Sequence, residues 1–114
     1  MKRGEEIPEA TRWKVYERDN QRCRLCGRAN AYTYSVHHIV YRSAGGNNDL
    51  DNLILLCGSG SSDCHLKVHS NKNLYEPVLQ ELIEKPGITG LALMRQKARA
   101  IREEPMSVRM AGQE

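Results

Sequence analysis

Four histidines and four cysteines in a chain of 114 residues concentrate ligand and acid–base chemistry in a small space. The histidines all fall between His37 and His69, as the adjacent pair His37-His38 and as His65-x3-His69. An i, i+4 spacing puts His65 and His69 on one face of a helix, where both imidazoles can share a metal ion. Leu66 follows His65, so this is not the metalloprotease arrangement, which carries glutamate there. On a strand, His37 and His38 point to opposite faces, and one metal ligand plus one general base is the economical division. A neutral imidazole, with a pKa of about 6.5, can take a proton from water near neutral pH. The plain alternative at each position is a satisfied structural histidine.

Cys23-x2-Cys26 has the spacing of a zinc knuckle, and Gly27 permits the left-handed turn that closes it. Cys57 and Cys64 form a wider C-x6-C pair around a Gly-Ser segment able to loop out. Four thiolates brought together leave no open coordination position, so a zinc held there is structural. Two disulfides, a redox dithiol and plain buried cysteines are the other readings. Cys64 and His65 are adjacent, and neighbours on a helix point about 100° apart. One short helix can therefore serve a thiolate site on one side and an imidazole site on another.

The elements that must position these groups are short. Thr11 is a candidate N-cap for a helix over Arg12 to Asp19, with Trp13, Val15 and Tyr16 as its apolar contacts. Tyr32 to Tyr41 is rich in β-branched and aromatic residues and predicts a strand or hairpin arm. Ser43 to Asp49 is a loop by composition, and Leu53 to Cys57 reads as a second strand or the approach to a helix. Gly58 to Asp63 is a flexible excursion, with Asp63 able to cap a helix starting at Cys64. Leu74 to Glu84 has helical spacing and ends at Pro86-Gly87, and Ile88 to Met94 is a short strand or a helical turn. The expected organisation is a flexible N-terminus over residues 1–10, one domain over 11–104 and a flexible tail over 105–114, in a small α+β architecture.

Composition narrows the classes. The chain is 39% hydrophobic and 27% charged, without phenylalanine, so its core is thin and a bound metal would supplement it. Its longest apolar runs are far too short for a bilayer-spanning helix, and no apolar stretch follows the charged N-terminus as in a secretory signal. The expectation is a cytoplasmic protein without membrane association, a setting in which cysteines more often hold metal than form disulfides. The net charge of +3 is unevenly spread: eight Lys or Arg against five acids in residues 1–36, and a nearly uncharged, histidine-rich centre. That suits an anionic backbone met by one part and chemistry done by another, although a solvated helix face plus a basic turn explains the charge equally well.

In order, Cys23-x2-Cys26, His37-His38-Ile39, Gly45-Gly46-Asn47-Asn48, Asp51-Asn52-Leu53-Ile54-Leu55-Leu56-Cys57 and Cys64-His65-x3-His69 resemble the HNH endonuclease motif. The likeness is to the small, zinc-stapled members encoded by phages and prophages, and it spans roughly Trp13 to Ser70. It implies a ββα-metal (His-Me finger) core stapled by a structural zinc on the four cysteines Cys23, Cys26, Cys57 and Cys64. It also implies metal-dependent hydrolysis of DNA phosphodiester bonds, by nicking or double-strand cleavage, to 5′-phosphate and 3′-hydroxyl ends. His37, His65 and, less firmly, His69 would hold one catalytic divalent ion. His38 would be the general base, and Asn52 would orient it by hydrogen bonds that hold the loop. Three imidazoles favour Zn2+, Ni2+ or Mn2+ over Mg2+. Arg42 is a candidate phosphate contact by position. DNA is the implied partner, with a phage terminase as a further one. A non-catalytic zinc-knuckle module that binds nucleic acid is the main rival, and a redox or regulatory zinc protein the second. The first leaves the histidines and Asn52 without work, and both predict that His38→Ala is silent in a cleavage assay.

Overall fold

The computed structural model describes residues 6–59 and 62–113, with the side chains of 102–113 left undescribed. Its elements are α1 (Glu9–Arg18), β1 (Tyr34–His38), β2 (Leu53–Cys57), α2 (Asp63–Ser70), α3 (Lys72–Ile83) and α4 (Gly90–Gln113), with single helical turns at Arg42–Ala44 and Leu50–Asn52. The strands pair antiparallel with His37 opposite Ile54 and His38 opposite Leu53, and α2 follows β2 directly in the element order. This is the expected small α+β architecture, with a ββα unit at its centre.

β2 explains why the centre holds. All five of its residues are buried, and strand alternation sends them to two different cores. Leu53 and Leu55 pack with Ile7, Val15 and Val36 beneath α1, whereas Ile54 and Leu56 pack with Ile39, Val68, Val78, Leu79 and Leu82. Each fully buried leucine contributes about 1.5–3 kcal/mol of transfer free energy, so this one strand ties both halves together. On β1 the same alternation puts Ser35 and His37 on one face, and Tyr34, Val36 and His38 on the other.

Buried charge adds a second tie. The Asp19 carboxylate is closed off from solvent and accepts hydrogen bonds from the Leu55 amide at 3.0 Å and from Arg18 Nε at 2.8 Å. Arg24 reaches Asp19 at 3.5 Å and donates to the carbonyls of Leu82, Lys85 and Ile88 at 3.3, 3.0 and 3.1 Å. Its own carbonyl accepts from Gly90 at 2.7 Å, at the start of α4. Two of the eight basic residues in the N-terminal third thus serve the fold rather than a partner. Asp19→Ala leaves Arg24 buried without its counter-ion and the Leu55 amide without an acceptor. Urea unfolding should show a loss of about 3–5 kcal/mol.

Several local expectations are corrected. α1 begins at Glu9 with Pro8, not Thr11, in the capping position, because the Pro8 carbonyl already accepts the Arg12 amide at 3.0 Å and opens the helix ahead of Thr11. Trp13 is 62% exposed and leans on Tyr16 at 5.6 Å, so Val15 is the buried contact of that helix. Ile7 is buried, so ordered packing begins before residue 11, while residues 1–5 lie outside the described ones. β1 is shorter than Tyr32 to Tyr41, since Tyr32 is fully exposed and the chain turns at Arg42. α2 starts at Asp63 with Ser62 in the capping position and without a side-chain cap, and residues 60 and 61 of the excursion lie outside the described ones. Residues 90–94 are helical: the Thr89 hydroxyl accepts the Ala92 amide at 3.2 Å and caps α4. The backbone of α4 runs on through residues 105–113.

Candidate metal and nuclease site

The knuckle closes as its spacing requires. Gly27, at φ +86°, donates to the Cys23 carbonyl at 2.8 Å, and the Cys23 amide donates to Arg28 at 3.0 Å. The wider pair closes differently. Gly58 sits at φ +90° where a Cβ would stand 2.2 Å from the Ser62 carbonyl, so glycine is needed there. The Ser62 amide donates to Ser59 at 3.1 Å, folding the excursion back on itself and returning Cys64 beside Cys57. All four sulfurs then lie within 4.8 Å of one another, free of disulfides. The Cys26–Cys57 separation of 3.9 Å is close to the edge of about 3.8 Å for a tetrahedron of Zn–S bonds of about 2.3 Å.

The thiols compete for charge. A hydrogen bond from the Cys64 thiol lowers the Cys23 pKa to about 5, and the same bond raises that of Cys64. Burial pushes Cys26 up as well. Clustered sulfur anions need a cation to coexist, and these four residues could hold one.

The histidines assemble on the other side of α2. His37, His65 and His69 present ring nitrogens within 4.8 Å of one another. His37 Nδ1 is 3.2 Å from His65 Nε2, which is 3.0 Å from His69 Nε2. For metal–nitrogen bonds of about 2.05 Å the tetrahedral edge is about 3.3 Å, so the spacing fits a shared ion. The tautomer of His65 fits too. Ser35 Oγ donates its one proton to the Gly58 carbonyl at 2.8 Å, so towards His65 Nδ1, 2.6 Å away, it can only accept. His65 Nε2 is therefore a lone pair aimed into the cluster. Tyr41 Oη lies 2.9 Å from His69 Nδ1, and Lys72 sits over the Tyr41 ring at 4.9 Å. Outer partners of this kind orient metal-binding histidines.

Burial, reinforced by the neighbouring imidazoles, lowers His37 to about 3 and His65 to about 4. Both rings are neutral at neutral pH, as a ligand must be. His38 leaves β1 on the opposite face and stands apart from the cluster, its Nε2 2.7 Å from Asn48 Oδ1. His37, His38, Tyr41, Arg42, His65 and His69 nevertheless share the rim of one cleft of ≈ 380 Å³.

Asn52 is buried and fully engaged. Its Oδ1 accepts the Val40 amide at 2.8 Å, and its Nδ2 donates to the carbonyls of Val40 and Asn47 at 3.1 and 2.9 Å. Gly46 packs so closely that a Cβ there would lie 1.8 Å from the Val40 carbonyl. Asn52 and Gly46 together fix the loop that begins just after His38. Asn52 does this without touching the His38 ring.

Residues 23–71, from the first cysteine of the knuckle to the end of α2, match the HNH endonuclease family model. These residues are an HNH domain. Searches of curated proteins and of solved structures returned no match. The HNH domain brings together the four cysteines in one cluster and His37, His65 and His69 in another, and it sets Arg42 at the cleft. Ser35, Tyr41 and Asn48 escaped sequence reasoning. The i, i+2 relation of Ser35 to His37 places both on one strand face, a signal legible once the strand is assigned.

Proposed function

We propose that this HNH domain is a metal-dependent endonuclease that hydrolyses DNA phosphodiester bonds. The observation that carries the reading is the convergence of three imidazoles, His37 and His65 among them held neutral by burial, on one point beside a fourth that is held apart. A purely structural histidine cluster gives no reason for His38 to share the cleft rim, and a non-catalytic zinc knuckle gives no reason for the three-imidazole cluster.

In this reading Cys23, Cys26, Cys57 and Cys64 hold a structural Zn2+. His37, His65 and His69 hold a divalent ion, with Zn2+, Ni2+ or Mn2+ better matched to the nitrogen donors than Mg2+. Such an ion, when bound, stabilises charge developing on the phosphate and on the leaving 3′ oxygen. His38 takes the proton of the attacking water. Asn52 keeps the loop, and thereby the strand end that carries His38, in place. Arg42, at the cleft rim, contacts a phosphate oxygen. In-line attack leaves 5′-phosphate and 3′-hydroxyl ends.

The domain has no separate base-reading element among its described residues, so weak sequence preference and strong salt dependence are expected. The likeness to phage and prophage HNH proteins supports a phage origin, a cytoplasmic site of action and a terminase as partner. No described helix is long and apolar enough to cross a membrane.

His65 is the ligand to test, because its ring borders both other histidines. Wild type, loaded with zinc and then with Mn2+ or Ni2+, should bind ions at both clusters and cut supercoiled plasmid. His65→Ala should keep the zinc of the cysteine cluster, lose the second ion and leave the plasmid intact. Equal cutting by both proteins would contradict the reading.

A further inference from the structure

Asn48 lies in the loop between β1 and β2, and its side-chain amide is engaged at both ends. Nδ2 donates to the Glu6 carbonyl at 3.3 Å, while Oδ1 stands 2.7 Å from His38 Nε2. A carbonyl oxygen can only accept, so the Glu6 contact decides which way the amide points and leaves Oδ1 towards the imidazole. His38 Nε2 must then be the donor, and in a neutral ring the lone pair falls to Nδ1.

The surrounding loop keeps this contact short. Asn47 Oδ1 accepts the Asp49 amide at 3.0 Å, turning the chain on either side of Asn48. Asn52 pins Val40 and Asn47 as described, and the fit of Gly46 against Val40 sets how closely the loop approaches the end of β1. The residue expected to orient His38 therefore acts on the backbone, while a different asparagine touches the ring. Glu6 links the contact to the segment preceding α1.

We infer that Asn48 is a positioning residue for His38. It holds the ring as the Nε2–H tautomer and leaves Nδ1 as the atom that accepts the proton from water. The inference rests on the reading of His38 as general base, but the tautomer is measurable without turnover.

The test uses the full chain with its zinc bound, and compares wild type with Asn48→Ala and Asn48→Asp. Long-range nitrogen–proton spectra at mildly alkaline pH should show His38 protonated at Nε2 in wild type. The same tautomer should persist in Asn48→Asp, whose carboxylate also accepts, and Asn48→Ala should give a tautomer mixture. Plasmid cleavage by Asn48→Ala should lose about 10- to 100-fold in kcat with KM for DNA unchanged, and Asn48→Asp should recover most of it. A tautomer shift without any cleavage by wild type supports Asn48 as the positioning residue and overturns the nuclease reading. An Nδ1–H ring in wild type overturns the inference, as does Asn48→Ala with an unchanged tautomer. A fall in kcat that Asn48→Asp does not relieve overturns it equally.

Discussion

Cys26→Ser should cost the protein its zinc and its fold. Cys26 is the exposed member of the four cysteines, so its contribution to packing is small. Exchanging an exposed thiol for a hydroxyl of similar shape ordinarily changes stability by less than about 0.5 kcal/mol. A metal ligand behaves differently. Structural zinc contributes apparent binding free energies of about 10–16 kcal/mol in small zinc domains, comparable with or larger than the whole stability of about 5–15 kcal/mol of a typical domain. Far-UV circular dichroism with zinc analysis should show Cys26→Ser unfolded or strongly destabilised and depleted in zinc. Chelation of the wild type should do the same. If Cys26→Ser melts like wild type, the four sulfurs do not hold a structural ion.

His38→Ala should leave fold and metals in place and remove the chemistry. His38 is only partly buried, lies outside the three-imidazole cluster and touches Asn48, so its loss disturbs neither core. A positioned general base contributes about a hundred- to ten-thousand-fold in rate. The contrast with His65→Ala separates the roles: both lose cleavage, but only His65→Ala loses the second ion.

The residue patterns that could carry chemistry were more legible in the sequence than the geometry that brings them together. Cys-x2-Cys, His-His and His-x3-His are local patterns, and period-two and i, i+4 rules place them on faces before any tertiary contact is known. β2 was legible for the same reason, since Leu53 to Cys57 is a short apolar run next to a ligand. Arg24 was not, because a basic residue between two cysteines looks solvent-facing until three carbonyls from the end of α3 and the turn after it close around it. Thr89, the cap of α4, is masked in sequence by the nearby Pro86-Gly87, and Pro8 rather than Thr11 heads α1 because the Pro8 carbonyl takes the Arg12 amide and opens the helix earlier. Asn48 stands in the quoted Gly45-Gly46-Asn47-Asn48 stretch without a role of its own: in sequence one asparagine looks like the other, and the turn at Asn47 and the contacts of Asn48 with Glu6 and His38 distinguish them. The basic N-terminal third kept its sign but lost part of its meaning once Arg18 and Arg24 were found holding β2 and α3.

The central claim is that the cleft rimmed by His37, His38, His65 and His69 cuts nucleic acid. The most direct measurement is the rate at which zinc-loaded wild type and His38→Ala convert supercoiled plasmid to relaxed or linear forms across Zn2+, Ni2+, Mn2+ and Mg2+. Metal-dependent cutting by wild type, reduced at least about a hundredfold in a folded, metal-bound His38→Ala, is the expected result. Plasmid, single strands and RNA all left uncut by wild type, or cutting that His38→Ala performs equally well, would contradict it.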